Sequence, residues 1–313
     1  MKCPLVSIII LNWNGKKLLK DCLSSLFKLT SYPNYKVIVV DNGSTDGSVE
    51  YVKKHFPKAD ILPLDKNYGF SKGNNEGIKY ALKKYNPKYI LLLNNDTEII
   101  QKDWLTKMVE VAESDKKIGI VGCSLLFPDR TLQHAGMRRF SELILPSYIH
   151  RLSFQKVQNN FRIILVALGA CFMIKKSVID KIGKLDEIYT PASYEDLDYF
   201  VRARKAGFLA VCAHNVKIIH KVSLSWKKIF DLDRYKLITR NYFIFLLKHF
   251  RRYLFLGFLL RIIISFLDKA DDLEPISLFN LRLRKLAPKR ILITFWALVD
   301  ALKLVKSKRN YLM

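Results

Sequence analysis

Along the first hundred positions the apolar residues fall into short continuous runs. Leu5–Leu11, Val37–Val40, Ile61–Leu64 and Tyr89–Leu93 are each bounded by Asn, Asp, Gly or Pro. Runs of that length with turn residues at their ends predict buried strands. Between them the period changes. Lys16–Leu29 places Leu18, Leu19, Leu23, Leu26 and Phe27 at helical spacing, and Ser48–Phe56 and Gly69–Tyr85 predict two more helices. Strands alternating with helices predict βαβ units and a parallel, doubly wound α/β sheet.

The middle of the chain is less regular. Ile118–Gly122 predicts a strand, 129–140 a loop or hairpin, and Ile163–Ile174 an apolar stretch interrupted by Gly169. Leu185–Arg204 reads as a loop running into a helix, and Phe208–Ile219 as a strand. After Ser225 the pattern changes again. Tyr242–Leu247, Leu254–Leu267 and Ile291–Val305 are apolar segments set among Lys and Arg. None of them offers the roughly 20 uninterrupted apolar residues of a membrane span. Basic residues mixed with Leu, Phe and Trp predict helices lying in a membrane interface; a helical subdomain packed on the α/β domain is the alternative.

Charge sharpens this division. The 313 residues carry a formal net charge of +25, which points to nucleic acid, anionic lipid or phosphorylated substrates as partners. From Lys221 onward there are 20 Lys and Arg against 7 Asp and Glu, so the last third is the most basic. The basic residues are interleaved with long aliphatic runs and no nucleic-acid motif is present, so nucleic acid is not expected as a partner. Cys3, Cys22, Cys123, Cys171 and Cys212 are scattered without CxxC spacing. They predict small buried side chains in a reducing compartment. The N-terminal apolar run is short and breaks at Asn12-Trp13-Asn14-Gly15, unlike a signal peptide, so a cytoplasmic location is expected.

The candidate chemistry sits where the strand patterns end. Tyr89–Leu93 stops at Asn94-Asn95-Asp96-Thr97, which places hard oxygen ligands at the carboxyl edge of a sheet. Open α/β sheets bind ligands at that edge, and a divalent cation bridging phosphates needs one or two carboxylates there. An Asn/Asp turn is the simpler reading of the same residues. Asp41 closes a second strand ahead of Asn42-Gly43-Ser44-Thr45-Asp46-Gly47, where its carboxylate serves either a pyrimidine NH or ribose hydroxyls, or an Asx turn. Asp65–Asn75, with Asn67, Gly69, Gly73 and Asn74, suits a phosphate or sugar as well as a polar helix start. Glu195-Asp196-Leu197-Asp198 opens an amphipathic helix. It reads first as favourable charge at a helix N-terminus and second as a general base. His220, after the apolar Val216–Ile219, is an edge residue or a metal ligand.

Taken together and in order, these pieces resemble the family 2 glycosyltransferases, and within them a rhamnosyltransferase-like branch. The likeness rests on Val6–Gly15, Val39–Gly47, Asn67-Tyr68-Gly69-Phe70 with Gly73-Asn74-Asn75, Leu92–Thr97, Gln133-His134-Ala135-Gly136, Gly169-Ala170-Cys171 and Glu195–Asp198. It implies a GT-A fold with a doubly wound mixed sheet over 1–225, with a nucleotide-binding half over about 1–100 and an acceptor half over about 101–225. Residues 226–313 lie beyond the likeness, and from their composition they are expected to form a basic, apolar helical extension that associates with the membrane. The likeness also implies an inverting enzyme that moves a sugar, rhamnose first, from a nucleotide-diphosphate donor to a lipid-linked or saccharide acceptor at the inner face of the cytoplasmic membrane.

In that frame Asn12, Asn14, Asp41, Asn42, Gly43, Asn67, Gly73, Asn74, Asn95 and Asp96 hold the nucleotide sugar. Asp196 is the base, Gly169, Ala170 and Glu195 line the acceptor site, and Asp96 with His220 binds Mg²⁺ or Mn²⁺. The family's DxD motif here reads Asn94-Asn95-Asp96, with an amide in place of the first acid, which weakens the expected hold on the cation. Two other readings remain open at this level: a nucleotidyltransferase with a similar sheet and metal site, and a basic nucleic-acid- or membrane-binding protein without catalysis.

Overall fold

The computed structural model describes residues 3–137, 161–167, 169–221, 231–267 and 287–310. Contacts divide these into two compact units, with 3–137 and 161–221 in the first and 231–310 in the second. The expected boundary at 225/226 lies outside the described residues.

The first unit opens with β1 (Val6–Asn12), α1 (Lys16–Leu29), β2 (Tyr35–Asp41), α2 (Ser48–His55), β3 (Ala59–Pro63), α3 (Gly69–Tyr85) and β4 (Tyr89–Asn94). The four strands are parallel and adjacent in the order β3-β2-β1-β4. They form because their side chains are buried on both faces: Ile8, Ile9, Ile10, Leu91 and Leu92 are at most 1% exposed. A fully buried side chain of that size contributes roughly 1.5–3 kcal/mol, so these strands anchor the unit. In α1, Leu19, Cys22, Leu23 and Leu26 are buried, a one-face stripe that explains why this segment is a helix seated on the sheet.

The sheet then becomes mixed. β5 (Thr97–Ile99), α4 (Trp104–Ser114), β6 (Ile118–Leu126), β7 (Leu132–His134), β8 (Phe161–Ile164), β9 (Cys171–Lys175), α5 (Lys176–Ile182), α6 (Glu195–Lys205) and β10 (Leu209–His220) complete the unit. The main order is β3-β2-β1-β4-β9-β6-β10-β5, with β7 paired to β6 and β8 to β10. β9 runs antiparallel between β4 and β6, so the sheet is not the wholly parallel one that alternation alone suggests.

Two consequences of register position the site. Asn12 pairs with Asp41 and Leu11 with Asn94, so β1, β2 and β4 end on one line. Leu93 pairs with Cys171, so antiparallel β9 starts where β4 stops, and Gly169-Ala170 arrive at the same edge. β10 ends there too, with His220 opposite Thr97.

In the second unit α7 (Asp231–His249), α8 (Leu254–Leu267) and α9 (Ala287–Asn310) form a helical bundle. The apolar segment Tyr242–Leu246 in α7 is fully buried and serves as its core. Phe258 of α8 meets Phe295 of α9 edge-on, ring centroids 5.0 Å apart. Among the described residues no helix is long and apolar enough to cross a membrane.

Candidate active site

At the ends of β1, β2 and β4 the side chains are tied directly to one another. Asn12 Nδ2 donates to Asp41 Oδ2 at 3.1 Å and lies 3.3 Å from Ser44 Oγ, while Asn12 Oδ1 accepts from Asn95 Nδ2 at 2.8 Å. The other Asp41 oxygen accepts from the Ser44 backbone N–H at 2.8 Å. Asp41 and Asn12 are almost wholly buried, so these bonds replace the water each group would otherwise need. Gly15 is part of the same device. A Cβ on it would sit 2.5 Å from Asn95 Nδ2 and 2.8 Å from Asn12 Oδ1, so only a glycine leaves room for that bond.

The loop after Asp41 is braced in the same way. Asn42 Nδ2 donates to Asn67 Oδ1 at 2.8 Å, and Asn42 Oδ1 accepts from the Tyr68 N–H at 2.9 Å. Gly43, at φ 74°, comes so close to Lys66 that a Cβ would lie 2.6 Å from its Cα. Gly73 packs against Leu11 and Asn42. Asn74 is buried and donates back to the Phe70 carbonyl within its own helix, while exposed Asn14 accepts from the Thr45 N–H. Asn12, Asn14, Asp41, Asn42, Gly43, Asn67, Gly73, Asn95 and Asp96 therefore lie on one connected edge. The side-chain bond of Asn74 turns inward.

Asp96 is only 1% exposed, and neither of its carboxylate oxygens accepts a hydrogen bond among the described residues. The nearest cationic or imidazole group is His220, with Nε2 3.4 Å from Oδ1. A buried carboxylate without donors is costly, and a carboxylate facing an imidazole nitrogen is a donor pair suited to Mg²⁺ or Mn²⁺. The residues thus fit the expected cation. No cluster of three or more His, Cys, Asp or Glu side chains placed to hold a metal occurs among the described residues. Asn95, the middle residue of the motif, is engaged with Asn12.

Asp196 is 8% exposed at the start of α6. Its Oδ2 accepts from the Gly169 N–H at 2.9 Å and its Oδ1 from the Leu197 N–H at 2.8 Å. The next residue after Gly169 is tied to β4, because the Ala170 carbonyl accepts from the Asn94 N–H at 2.9 Å. Asp196 is therefore two short links from the Asn94-Asn95-Asp96 strand end. Burial pushes its carboxyl up to about 6, with the two backbone N–H groups pulling the other way. Glu195 is raised well above the usual carboxylate range, first by burial and then by the Asp196 charge, and its Oε2 has no hydrogen-bond partner among the described residues. Asp198 plays another part. It is fully buried, accepts from Arg202 Nε at 2.6 Å and from the Tyr189 hydroxyl at 3.1 Å, and clamps α6 to the preceding loop.

Three further residues belong to the site. Ser44 and Gly15 brace the Asp41 network. Gln133 holds both the ring and the carbonyl of His220 (2.6 and 3.3 Å) from a strand 87 positions away. The glycine was visible in the turn sequence Asn12–Gly15, but its steric reason requires Asn95, which is remote in the chain.

Comparisons with known proteins agree with this architecture. The chain is 29% identical over 230 residues to the O-antigen biosynthesis protein RfbC of Myxococcus xanthus, covering 71% of this chain and 18% of that protein. It is 23% identical over 225 residues to the N-acetylglucosaminyl-diphospho-decaprenol L-rhamnosyltransferase of Mycobacterium tuberculosis, covering 64% and 71%. An uncharacterized protein of Sinorhizobium fredii is 30% identical, with 25% of its length covered, so the chain spans a quarter or less of two of the curated relatives it matches. In structure it resembles the mannosyltransferase PcManGT of Pyrobaculum calidifontis, solved with GDP-Man and Mn²⁺, with a TM-score of 0.54 at 14% identity over 98% of this chain and 75% of that one. That likeness fixes the fold as GT-A. The sequence model of Glycosyl transferase family 2 matches residues 7–183, more than half of the chain. This chain has the GT-A fold and belongs to glycosyl transferase family 2.

Proposed function

We propose that the enzyme transfers a sugar from a nucleoside-diphosphate donor to an acceptor hydroxyl with inversion at the anomeric carbon. The observation that carries this reading is Asp196. It is a buried carboxyl raised to about 6, held by two N–H groups and linked through Gly169-Ala170 to the strand end that carries Asp96. A base near neutral pH must be ionised yet still avid for a proton, and a carboxyl raised by burial meets both needs. Asp196 takes the acceptor proton as the hydroxyl attacks the face opposite the leaving diphosphate. The reaction is one in-line displacement, with no covalent sugar–enzyme intermediate.

On the donor side, Asp41 receives the base or ribose, with Asn12, Asn14, Asn42, Gly43, Asn67, Gly73, Asn74 and Asn95 shaping the pocket. Asp96 and His220 hold Mg²⁺ or Mn²⁺, which when bound neutralises charge developing on the diphosphate. Gly169, Ala170 and Glu195 form the acceptor side. Replacing Asp196 by Asn tests the assignment: sugar transfer is abolished while nucleotide binding survives. Wild-type turnover in that variant assigns the base elsewhere.

Rhamnose is the first donor sugar to test, because a relative's name specifies an L-rhamnosyl group and an acceptor joined by a diphosphate to decaprenol. A thermal-shift screen of nucleotide sugars with and without Mn²⁺ identifies the donor, since a ligand that binds the folded state raises its melting temperature.

The second unit supports a lipid-linked acceptor and peripheral attachment to the inner face of the cytoplasmic membrane. Of the eleven exposed large apolar side chains among the described residues, nine lie on α8 and α9. Phe255, Leu259 and Ile263 follow one helical stripe, and Leu292, Phe295 and Val299 another, with exposed Arg251, Arg252 and Lys289 nearby in sequence. An apolar face bordered by cations suits the interface of an anionic bilayer.

A further inference from the structure

Gln133 lies on β7, two strands away from β10 across β6, yet its amide grips His220 twice. Its Nε2 donates to the His220 backbone carbonyl at 3.3 Å. That bond fixes which way the amide points and turns its oxygen toward His220 Nδ1, 2.6 Å away. An amide oxygen only accepts, so Nδ1 must carry the hydrogen. In a neutral imidazole the other nitrogen, Nε2, then bears the lone pair. Nε2 is the atom that faces Asp96 Oδ1 at 3.4 Å. Two electron-rich atoms are thereby aimed at one point, and neither Asp96 oxygen has a hydrogen-bond donor among the described residues.

We propose that Gln133 is a positioning residue for the cation seat: by accepting from Nδ1–H and donating to the His220 carbonyl, it locks His220 in the tautomer that presents Nε2 as a ligand beside Asp96. The proposal rests on the reading of Asp96 and His220 as that seat. Gln133 is 7% exposed, so water does not readily replace it. Without it the ring is free to rotate and to place its hydrogen on Nε2, where it would donate to Asp96 and close the seat. Hydrogen-bond partners of metal-binding imidazoles act in this way, and removing them typically weakens metal affinity by about 10- to 100-fold. The two hydrogen bonds also explain why an amide is suited to this position. A carboxylate keeps the acceptor but loses the donor to the carbonyl, and an apolar side chain loses both.

The test uses the chain of 313 residues. Histidine ¹⁵N chemical shifts of the metal-free protein report the tautomer of His220, assigned by its loss in His220→Gln. Wild type shows a protonated Nδ1 and an unprotonated Nε2, and Gln133→Ala shows a mixture or the reverse. Mn²⁺ titration followed by the electron spin resonance of free Mn²⁺ then gives affinity. Gln133→Ala binds about 10- to 100-fold more weakly, and Gln133→Glu, which restores the acceptor, recovers most of the loss. Melting temperatures of all variants show that each is folded. A wild-type ring with hydrogen on Nε2, or a Gln133→Glu variant no better than Gln133→Ala, overturns the proposal. If His220→Gln leaves Mn²⁺ affinity unchanged, the cation seat itself is misassigned. The tautomer measurement still decides what Gln133 does to the ring.

Discussion

The backbone N–H of Gly169 donates to Asp196 Oδ2 at 2.9 Å, and a Cβ at position 169 would lie 3.1 Å from that same oxygen. The loop between β8 and β9 therefore both holds the carboxylate and limits how close other groups come. Gly169→Ala leaves the hydrogen bond in place but presses a methyl group on the oxygen, which has to give by a few tenths of an ångström. Misplacement of a reacting group is expensive, so kcat is expected to fall by about tenfold or more with little change in donor KM. Steady-state kinetics at varied donor concentration measure the split.

The raised carboxyl of Asp196 sets a pH dependence. Burial moves it up to about 6, so the proposed base would be protonated below about that pH and ionised above it. Because Glu195 and Asp196 interact, the profile reports the pair. The expected kcat/KM rises with pH through about 6 and then levels off. Stability runs the opposite way. A carboxyl raised in the folded state binds its proton more tightly there than in the unfolded chain. Its stabilising contribution is complete below the ordinary carboxylate range and is lost as pH climbs through the raised value. Thermal melts from about pH 4 to pH 8 should therefore show a flatter dependence for Glu195→Gln than for wild type.

Gly15 offers a test of the donor-site network away from any reacting group. In Gly15→Ala the new methyl meets the Asn95 amide and Asn12 Oδ1, so their hydrogen bond breaks. Loss of a buried bond of this kind costs about 1 kcal/mol or slightly more, and a similar loss in binding amounts to roughly tenfold in Kd. Calorimetric titration with a nucleoside diphosphate is expected to show that weakening, while Asp196, joined to the sheet by backbone bonds, keeps its pH profile.

The exposed stripe on α8 and α9 predicts a membrane phenotype separable from chemistry. Phe295→Asp with Val299→Asp places two anions in that face and changes no residue of the first unit. Sedimentation with vesicles containing anionic phosphatidylglycerol is expected to fall sharply relative to wild type, and turnover of a water-soluble acceptor is expected to stay unchanged. Equal sedimentation of the two proteins removes the face from the proposal.

Much of this architecture is legible in the sequence because it is local. Lys16–Leu29 and Gly69–Tyr85 are helices with the bounds their spacing predicts, and Tyr89–Leu93 is the core of β4. The candidate residues at the strand ends follow from the same periodicity. Strand direction is different. Nothing in Cys171–Lys175 says that it will run backwards between β4 and β6, since that depends on partners some 50 to 80 positions away. β5 has three residues, too few for a period, and exists because β10 pairs with it. α4 carries Trp104, Leu105, Met108, Val109 and Ala112 on its buried face, a pattern present in the sequence but absent from the expected elements. The grip of Gln133 on His220 spans two strands and 87 positions, and only the folded sheet reveals it.

Asp96 and His220, as the proposed seat, would give the cation one carboxylate and one imidazole, and a seat with so few protein ligands would be completed by oxygen ligands from outside the protein. Cation and donor then become joint occupants: each supplies what the other lacks. Linkage makes the dependence mutual, so whatever factor Mn²⁺ adds to nucleotide affinity, the nucleotide returns to Mn²⁺. In the proposed site, with the amide pair Asn94-Asn95 ahead of Asp96, the cation would therefore bind more tightly together with the activated sugar than without it.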